Sequence, residues 1–268
     1  MERIIIPLET VPIISTSSKG DQSKWQVDNK WIKQNTRGYE GQAEVLASLI
    51  LSCSTLTERE YVKYHLCEIL LPNGETSLGC YSYDFREKLQ EVTLERLFEA
   101  NFSSTDSILN NTALSTEEKF EQLLRQVELY TGINVREELV RMLAFDALIL
   151  NEDRHTNNIL FLYNPMQKSW RLAPIFDNGL SFLSDEKDYP QGKPLTILKR
   201  KVKAKPLNSN FSKQLALYKG PAFINKTKLL RALETIDIDF GRAQQVLLSQ
   251  LNDPSFAHLF YEGRVAND

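Results

Sequence analysis

The stretch from Leu143 to Gly179 constrains this chain more than any other. An apolar run, Leu143 to Leu150, is interrupted only by Asp146 and ends in a dense polar loop, Asn151-Glu152-Asp153-Arg154-His155-Thr156-Asn157-Asn158. Apolar residues resume at once. Ile159 to Tyr163 and Trp170 to Phe176 flank Asn164-Pro165-Met166-Gln167-Lys168, which reads as a hairpin and its turn. The hairpin carries the chain to Asp177-Asn178-Gly179. A polar loop with both ends anchored in apolar elements presents its carboxylates and amides at fixed separations, so the spacing within it is informative.

Around that centre the chain reads as α+β with two lobes sharing a cleft: a strand-rich N-lobe with one main helix, residues 1–83, and a mostly helical C-lobe, 84–268. Ile4 to Ile6 and Val11 to Ile14 are short β-branched runs. The polar loop Ser15 to Asp21 follows, and then Trp25 to Val27 and Lys30 to Lys33 flank the hairpin turn Asp28-Asn29. Val45, Leu46, Leu49, Ile50 and Cys53 recur at helical spacing, with Glu40 and Glu44 together on another face. Tyr61 to Leu71, Pro72-Asn73-Gly74 and Glu75 to Tyr83 predict a second hairpin running out into Asp84, where the hinge is placed. Helices are expected at Thr93 to Ala100, Glu117 to Tyr130 and Val135 to Leu150, the second opened by the capping box Ser115/Glu118. The Asn/Ser/Thr-rich stretch between Asn101 and Thr116 reads as a surface loop, and further helices are expected beyond Asn208.

Composition removes several classes. The formal charge of −3 gives no basic surface for nucleic acid, and no apolar run is long enough for a membrane span or cleavable signal. A cytoplasmic protein is expected, with signal-independent export left open. Cys53, Cys67 and Cys80 are odd in number and far apart, so they read as reduced core thiols rather than a zinc or disulfide framework.

The loop's chemistry is specific. Asp153 and Asn158 stand at the Asp-x-x-x-x-Asn spacing with which a phosphotransferase loop aims a base at an acceptor hydroxyl and an amide oxygen at a metal ion. Asp177-Asn178-Gly179 supplies a second metal-binding carboxylate after the hairpin. Transfer from a triphosphate is catalysed mainly by positioning and charge neutralisation, and oxygen donors suit Mg²⁺. ATP and Mg²⁺ are therefore the expected cofactors, with Asp153 as base and Asn158 and Asp177 as metal ligands. His155 joins the catalytic set by bracing the loop; the three histidines have no zinc-ligand spacing. Arg154 reads either as a phosphate contact or as an ion pair shaping the loop. Lys33 is the candidate for the lysine on the ATP phosphates, with Glu44, or alternatively Glu40, orienting it. Gly20 and Lys24 are candidates for the phosphate-covering region, and Asp84 for the nucleotide edge of the hinge. The basic run Lys199 to Lys205 reads as an acidic-partner contact or a solvated loop.

These residues resemble the HipA-like kinases, whose catalytic loop has the form Asp-x-His-x-x-Asn and whose metal aspartate follows Leu-Ala-Pro-x-x-Asp. Here they are Asp153-Arg154-His155-Thr156-Asn157-Asn158 and Leu172-Ala173-Pro174-Ile175-Phe176-Asp177. The Asp-Arg-His wording is also similar to phosphatidylinositol kinases. The resemblance implies a bilobal protein-kinase-like fold and a bacterial enzyme that phosphorylates Ser or Thr of a protein substrate. Autophosphorylation is also implied, with Ser15, Ser17 and Ser18 as candidate acceptors. The chain lacks room for the extra N-terminal subdomain of the full-length toxins and is nearer the short stand-alone members. A lipid or small-molecule kinase, or a nucleotide-binding pseudokinase acting as an interaction module, are the alternatives.

Overall fold

The structure, a computed structural model, describes residues 1–14 and 22–263. The chain divides into two compact units. The first comprises Met1–Asp84, Phe176–Lys201 and Pro221–Asp268; the second comprises Phe85–Ile175 and Val202–Gly220.

The first unit opens with β1 (Glu2–Ile5), β2 (Ile13–Ile14), β3 (Ser23–Val27), β4 (Lys30–Gln34), α1 (Glu40–Ser52), β5 (Tyr64–Leu70) and β6 (Thr76–Tyr83). The strands form one sheet in the order β1-β5-β6-β4-β3-β2, antiparallel except where β1 runs parallel to β5. Both expected hairpins are present, and their turn residues explain them: Asp28 takes φ 54° and Gly74 φ 84°. The period of two divides the faces. Trp25, Ile32, Cys67, Ile69 and Tyr81 join Ile4 and Ile6 in a core on one side. Lys24 and Lys33, paired directly across β3 and β4, share the other side, where α1 packs. Helix and sheet approach closely at glycine: a Cβ on Gly41 would lie 2.9 Å from the Gly79 carbonyl carbon, and one on Gly79 would lie 2.1 Å from the Lys33 oxygen. α1 is buried nearly all round, so the face that carries Glu40 and Glu44 is not a solvent face.

At Phe85 the chain enters the second unit, with β7 (Gln90–Thr93), α2 (Leu94–Glu99), α3 (Asp106–Leu109), α4 (Thr116–Thr131), α5 (Arg136–Ile149), β8 (Leu160–Asn164) and β9 (Ser169–Leu172). Thr93 caps α2 through the Arg96 N–H. Ser115 and Glu118 form the expected capping box on α4, which ends at Gly132 with φ 73°. The expected surface loop contains one helical turn, α3. β8 and β9 are the expected hairpin, and β7 adds a third strand that its polar sequence, Gln-Glu-Val-Thr, does not announce. The chain then returns to the first unit for α6 (Leu195–Lys199) and to the second for α7 (Phe211–Leu215), which packs on α5. It finishes in the first unit with β10 (Ile224–Asn225), α8 (Lys226–Thr235), α9 (Arg242–Leu251) and β11 (Phe260–Tyr261). All three cysteines are buried free thiols. Among the described residues no helix is long and apolar enough to cross a membrane.

Candidate functional site

In the first unit the site is built on Lys33. Its ammonium donates to Glu44 Oε1 at 2.5 Å, to Asp177 Oδ1 at 2.7 Å and to the Tyr64 hydroxyl at 3.4 Å. Lys24, directly across the strand pair, reaches the other oxygen of Asp177 at 3.3 Å. Burial opposes the charge of Lys33, but Asp177 and Glu44 outweigh it and hold the ammonium well above the ordinary lysine range. Burial also works against Asp177, yet Lys24 and Lys33 hold its carboxyl well below the usual carboxylate range. Glu44, with 0% exposure, is pushed up by burial while Lys33 pulls against it. Of the two carboxylates on Lys33, Asp177 is the one with a second cation and carries its charge more firmly.

The choice between the two helix glutamates is decided by where α1 begins. Glu40 stands in its first turn and accepts the N–H groups of Thr36, Arg37 and Gly38 at 3.2, 2.7 and 3.0 Å, so it closes the helix start. Glu44, one turn on, faces Lys33 with one oxygen and accepts the Asn178 N–H at 2.8 Å with the other.

The segment after Asp177 is held in a costly backbone. Asp177, Phe182 and Leu183 have φ of 56°, 55° and 63°, the left-handed region. Their neighbours compensate. The Tyr39 hydroxyl contacts the Phe182 and Leu183 carbonyls at 2.8 and 2.9 Å, and Arg242 donates to the carbonyls of Leu183 and Tyr189 at 2.7 Å each and to the Tyr39 oxygen at 2.8 Å. Arg37 pairs with buried Asp185 at 2.5 Å. Gly38 has no room for a side chain, since its Cβ would stand 2.1 Å from the Ser184 oxygen.

In the second unit the polar loop is built on Asp146. α5 ends at Leu150 in the left-handed conformation, φ 56°, which turns the chain back along the helix. Arg154, with 0% exposure, then lays its guanidinium on the Asp146 carboxylate, Nε to Oδ2 at 2.9 Å and Nη2 to Oδ1 at 3.1 Å, and donates from Nη1 to the Asn158 carbonyl at 3.0 Å. Asn151 donates to Asp146 at 2.9 Å and accepts the Asp153 N–H at 3.0 Å. Burial pushes the Asp146 carboxyl up, against the pull of Arg154 and Asn151. Arg154 is therefore an ion pair within the fold. The far side of the loop is tied to α2, with Thr156 donating to Glu95 at 2.9 Å and Thr93 to Asn157 at 3.1 Å. Within the loop, Asn158 Nδ2 donates to the Asp153 carbonyl at 2.8 Å. His155 Nδ1 accepts the Asn157 N–H at 3.2 Å, with Nε2 at 3.7 Å from Asp153 Oδ2. Lys205 Nζ lies 3.4 Å from Asp153 Oδ1.

The sequence profile of the HipA-like C-terminal domain family matches residues 16–237, well over half of the chain. This chain belongs to the HipA-like C-terminal domain family. Among solved structures it is similar to the crystal structure of the Helicobacter pylori proinflammatory kinase CtkA, at a TM-score of 0.62 and 16% identity, over 92% of this chain and 93% of that one. No curated protein sequence matches it. The fold is the kinase-like α+β fold.

The HipA-like domain thus brings Lys33, Glu44, Lys24 and Asp177 together in one unit, and Asp153, His155 and Asn158 together in the other. Gly20, with Ser15, Ser17 and Ser18, lies outside the described residues. Asp84 lies beyond the Lys30–Tyr83 pair, along the strand from Lys33–Cys80, and its backbone N–H donates to the Asn29 carbonyl at 3.0 Å. The basic run is divided: Lys199 donates to Ser249 at 3.1 Å, and Lys205 turns to Asp153. Asp146 was not among the candidates. Its signal was available, since an acid inside an apolar helical run needs a buried cation, and Arg154 follows just past the helix end.

Each unit, taken by itself, offers an oxygen donor of the kind Mg²⁺ takes. Asp177 is held ionised, and with Nδ2 of Asn158 committed to Asp153, the amide oxygen remains for a metal. A hard cation that keeps its waters and takes one or two carboxylates needs no larger cluster. Among the described residues no group of three or more His, Cys, Asp and Glu gathers at one point.

Proposed function

We propose that this protein is an ATP- and Mg²⁺-dependent kinase that transfers the γ-phosphoryl group to Ser or Thr hydroxyls of a protein, itself included. The observation that carries the reading is Lys33, buried and shared between Glu44 and Asp177. A buried lysine set between a helix glutamate and a carboxylate fit for metal is what phosphate binding by a kinase requires. Family membership and the kinase-like fold support it.

In this reading Lys33 and Lys24 give their charge to the ATP phosphates. Glu44 keeps Lys33 oriented, and Asn158 and Asp177 hold Mg²⁺, which would neutralise charge on the phosphates. Asp153 accepts the acceptor's proton as the hydroxyl oxygen bonds to the γ-phosphorus; the bond to the β–γ bridging oxygen breaks, and its electron pair leaves with ADP. His155 braces the loop through its bond from the Asn157 N–H, and Arg154 keeps the loop on α5. Asn178 of the Asp-Asn-Gly triplet donates its N–H to Glu44, and the chain just beyond, at Phe182 and Leu183, is held by Tyr39 and Arg242.

Incubation with Mg²⁺ and γ-labelled ATP tests the proposal, with modified residues located by mass spectrometry. Label on Ser or Thr of the protein or of casein is expected, and Asp153→Asn and Asp177→Asn should each reduce it to background while circular dichroism stays unchanged. Undiminished labelling by either variant would remove the assignment. Label appearing on inositol lipid and on no protein would establish the lipid-kinase alternative.

A further inference from the structure

We propose that Lys205 is a catalytic residue whose ammonium neutralises the transferring phosphoryl group beside Asp153. The proposal rests on the phosphotransfer reading above and adds to it the cation on the acceptor side of the reaction.

The geometry is confined to the second unit. Lys205 Nζ is 3.4 Å from Asp153 Oδ1, the carboxylate that takes the acceptor proton. That proton sits on the oxygen attacking phosphorus, and reacting atoms in a productive complex lie about 3–3.5 Å apart. The phosphoryl group must therefore come within a contact or so of whatever touches Asp153, which brings the Lys205 ammonium to its oxygens. The side chain is 35% exposed, so it can turn from the carboxylate to an arriving anion without unpacking a core.

Its backbone, in contrast, is fixed. Gln214, on α7 with 0% exposure, donates from Nε2 to the Lys205 carbonyl at 2.9 Å and accepts the Leu207 N–H on Oε1 at 3.0 Å, spending both ends of one buried amide on either side of Pro206. α7 packs on α5, whose Asp146 fixes the loop bearing Asp153. Lys205 and Asp153 thus hang from two helices packed on each other, α7 and α5, by two separate sets of hydrogen bonds. Val202 and Ala204 alternate inward while Lys203 points out, so the segment is an extended strap packed on the unit and not a loose basic tail.

During transfer the hydroxyl oxygen bonds to phosphorus, the bond to the bridging oxygen breaks with its electron pair going to ADP, and the hydroxyl proton passes to Asp153. Lys205 gains and loses no proton; it shifts from Asp153 toward the equatorial phosphoryl oxygens, where the negative charge of a loose transition state is spread.

The test compares wild type with Lys205→Met, Lys205→Gln and Lys205→Arg in steady-state labelling of casein and of the protein itself, with ATP affinity measured separately by titration. Removing the cation should lower kcat by about 10²–10³-fold, the scale of a lost transition-state contact, while ATP affinity and thermal midpoint hold. Lys205→Arg should recover most of the lost rate and Lys205→Gln none. A kcat within about threefold of wild type for Lys205→Met would leave only a solvated ion pair, of the kind that contributes little. Equal rates for the Arg and Gln variants, or ATP affinity falling in step with kcat, would equally overturn the assignment. No labelling by wild type would overturn both this inference and the kinase reading, whereas active wild type with an equally active Lys205→Met overturns this one alone.

Discussion

Replacing Asp146 by Asn separates the stability of the polar loop from its chemistry. The change keeps the side chain's shape and removes its charge, which strands the Arg154 guanidinium at a site where both partners have 0% side-chain exposure. Leaving one partner of such a pair unpaired costs about 3–5 kcal/mol, a large part of the roughly 5–15 kcal/mol that holds an ordinary domain. The double variant Asp146→Leu/Arg154→Met removes both charges at similar volume and so avoids the stranded cation. It still orphans Asn151 Nδ2 and the Asn158 carbonyl, which lose their bonds to Asp146 and Arg154, at about 1 kcal/mol each. A net loss of about 0–2 kcal/mol follows for the double variant. Activity should not recover with it. Asn151 positions the Asp153 N–H and Arg154 the Asn158 carbonyl, and a displacement of about 1 Å in a catalytic loop can cost about 10²-fold in rate. Urea unfolding followed by circular dichroism gives the stabilities, and initial labelling rates at saturating Mg²⁺-ATP give the activities. A single variant that loses less than about 1 kcal/mol, or a double variant that labels at the wild-type rate, would refute the view that this pair holds the loop for catalysis.

Gly79→Ala places a Cβ 2.1 Å from the Lys33 carbonyl oxygen, so β4 has to move; overpacking of this kind costs about 1–3 kcal/mol, and ATP affinity should fall with the thermal midpoint because Lys33 moves with its strand. Arg136→Met removes the two 2.6 Å bonds to Glu121, whose carboxyl the hydrogen-bonded guanidinium holds below its ordinary value. A depressed carboxylate adds stability above its unfolded pKa and loses it as pH falls through the folded one. For so exposed a pair the variant should therefore be less stable by at most about 1 kcal/mol at neutral pH, with the difference fading as acid protonates Glu121 and reduced in 1 M salt. Urea midpoints across pH check this, and a difference that grew in acid would contradict it.

Whether a residue's surroundings were legible in the sequence depended on whether its partner lay in the same local pattern. The elements that carry Asp153, Asn158 and Asp177 were readable because a helix, a loop and a hairpin follow one another within one continuous stretch. Lys33 was readable as the end of a hairpin strand followed by a helix with acids. The two acids shared a helical face, so periodicity could not choose between them. The choice turns on the helix start, where a first-turn acid serves its own N–H groups. β1 beside β5 is a different case. A parallel pairing of Glu2–Ile5 with a strand more than fifty residues on leaves no local trace, and the polar strand β7 is recognisable only by its partner β8.

The basic run shows the same distinction inside a few residues. Read by charge alone, Lys199 to Lys205 is a single patch. Read by period, Lys-Val-Lys-Ala-Lys is an alternation, and an alternation with small apolar residues means one face packed and one face outward. Val202 and Ala204 are the packed face, at 6% and 4% exposure. Once they are inside, each lysine has a fixed direction and the run can no longer act as a diffuse cation. Which lysine meets a functional group then depends on the anchor at its end. That anchor is Gln214, at 0% exposure, whose amide must satisfy a donor and an acceptor and finds both in the backbone around Pro206. No property of Lys205 itself separates it from Lys201 or Lys203; a buried amide nine residues later in the chain does.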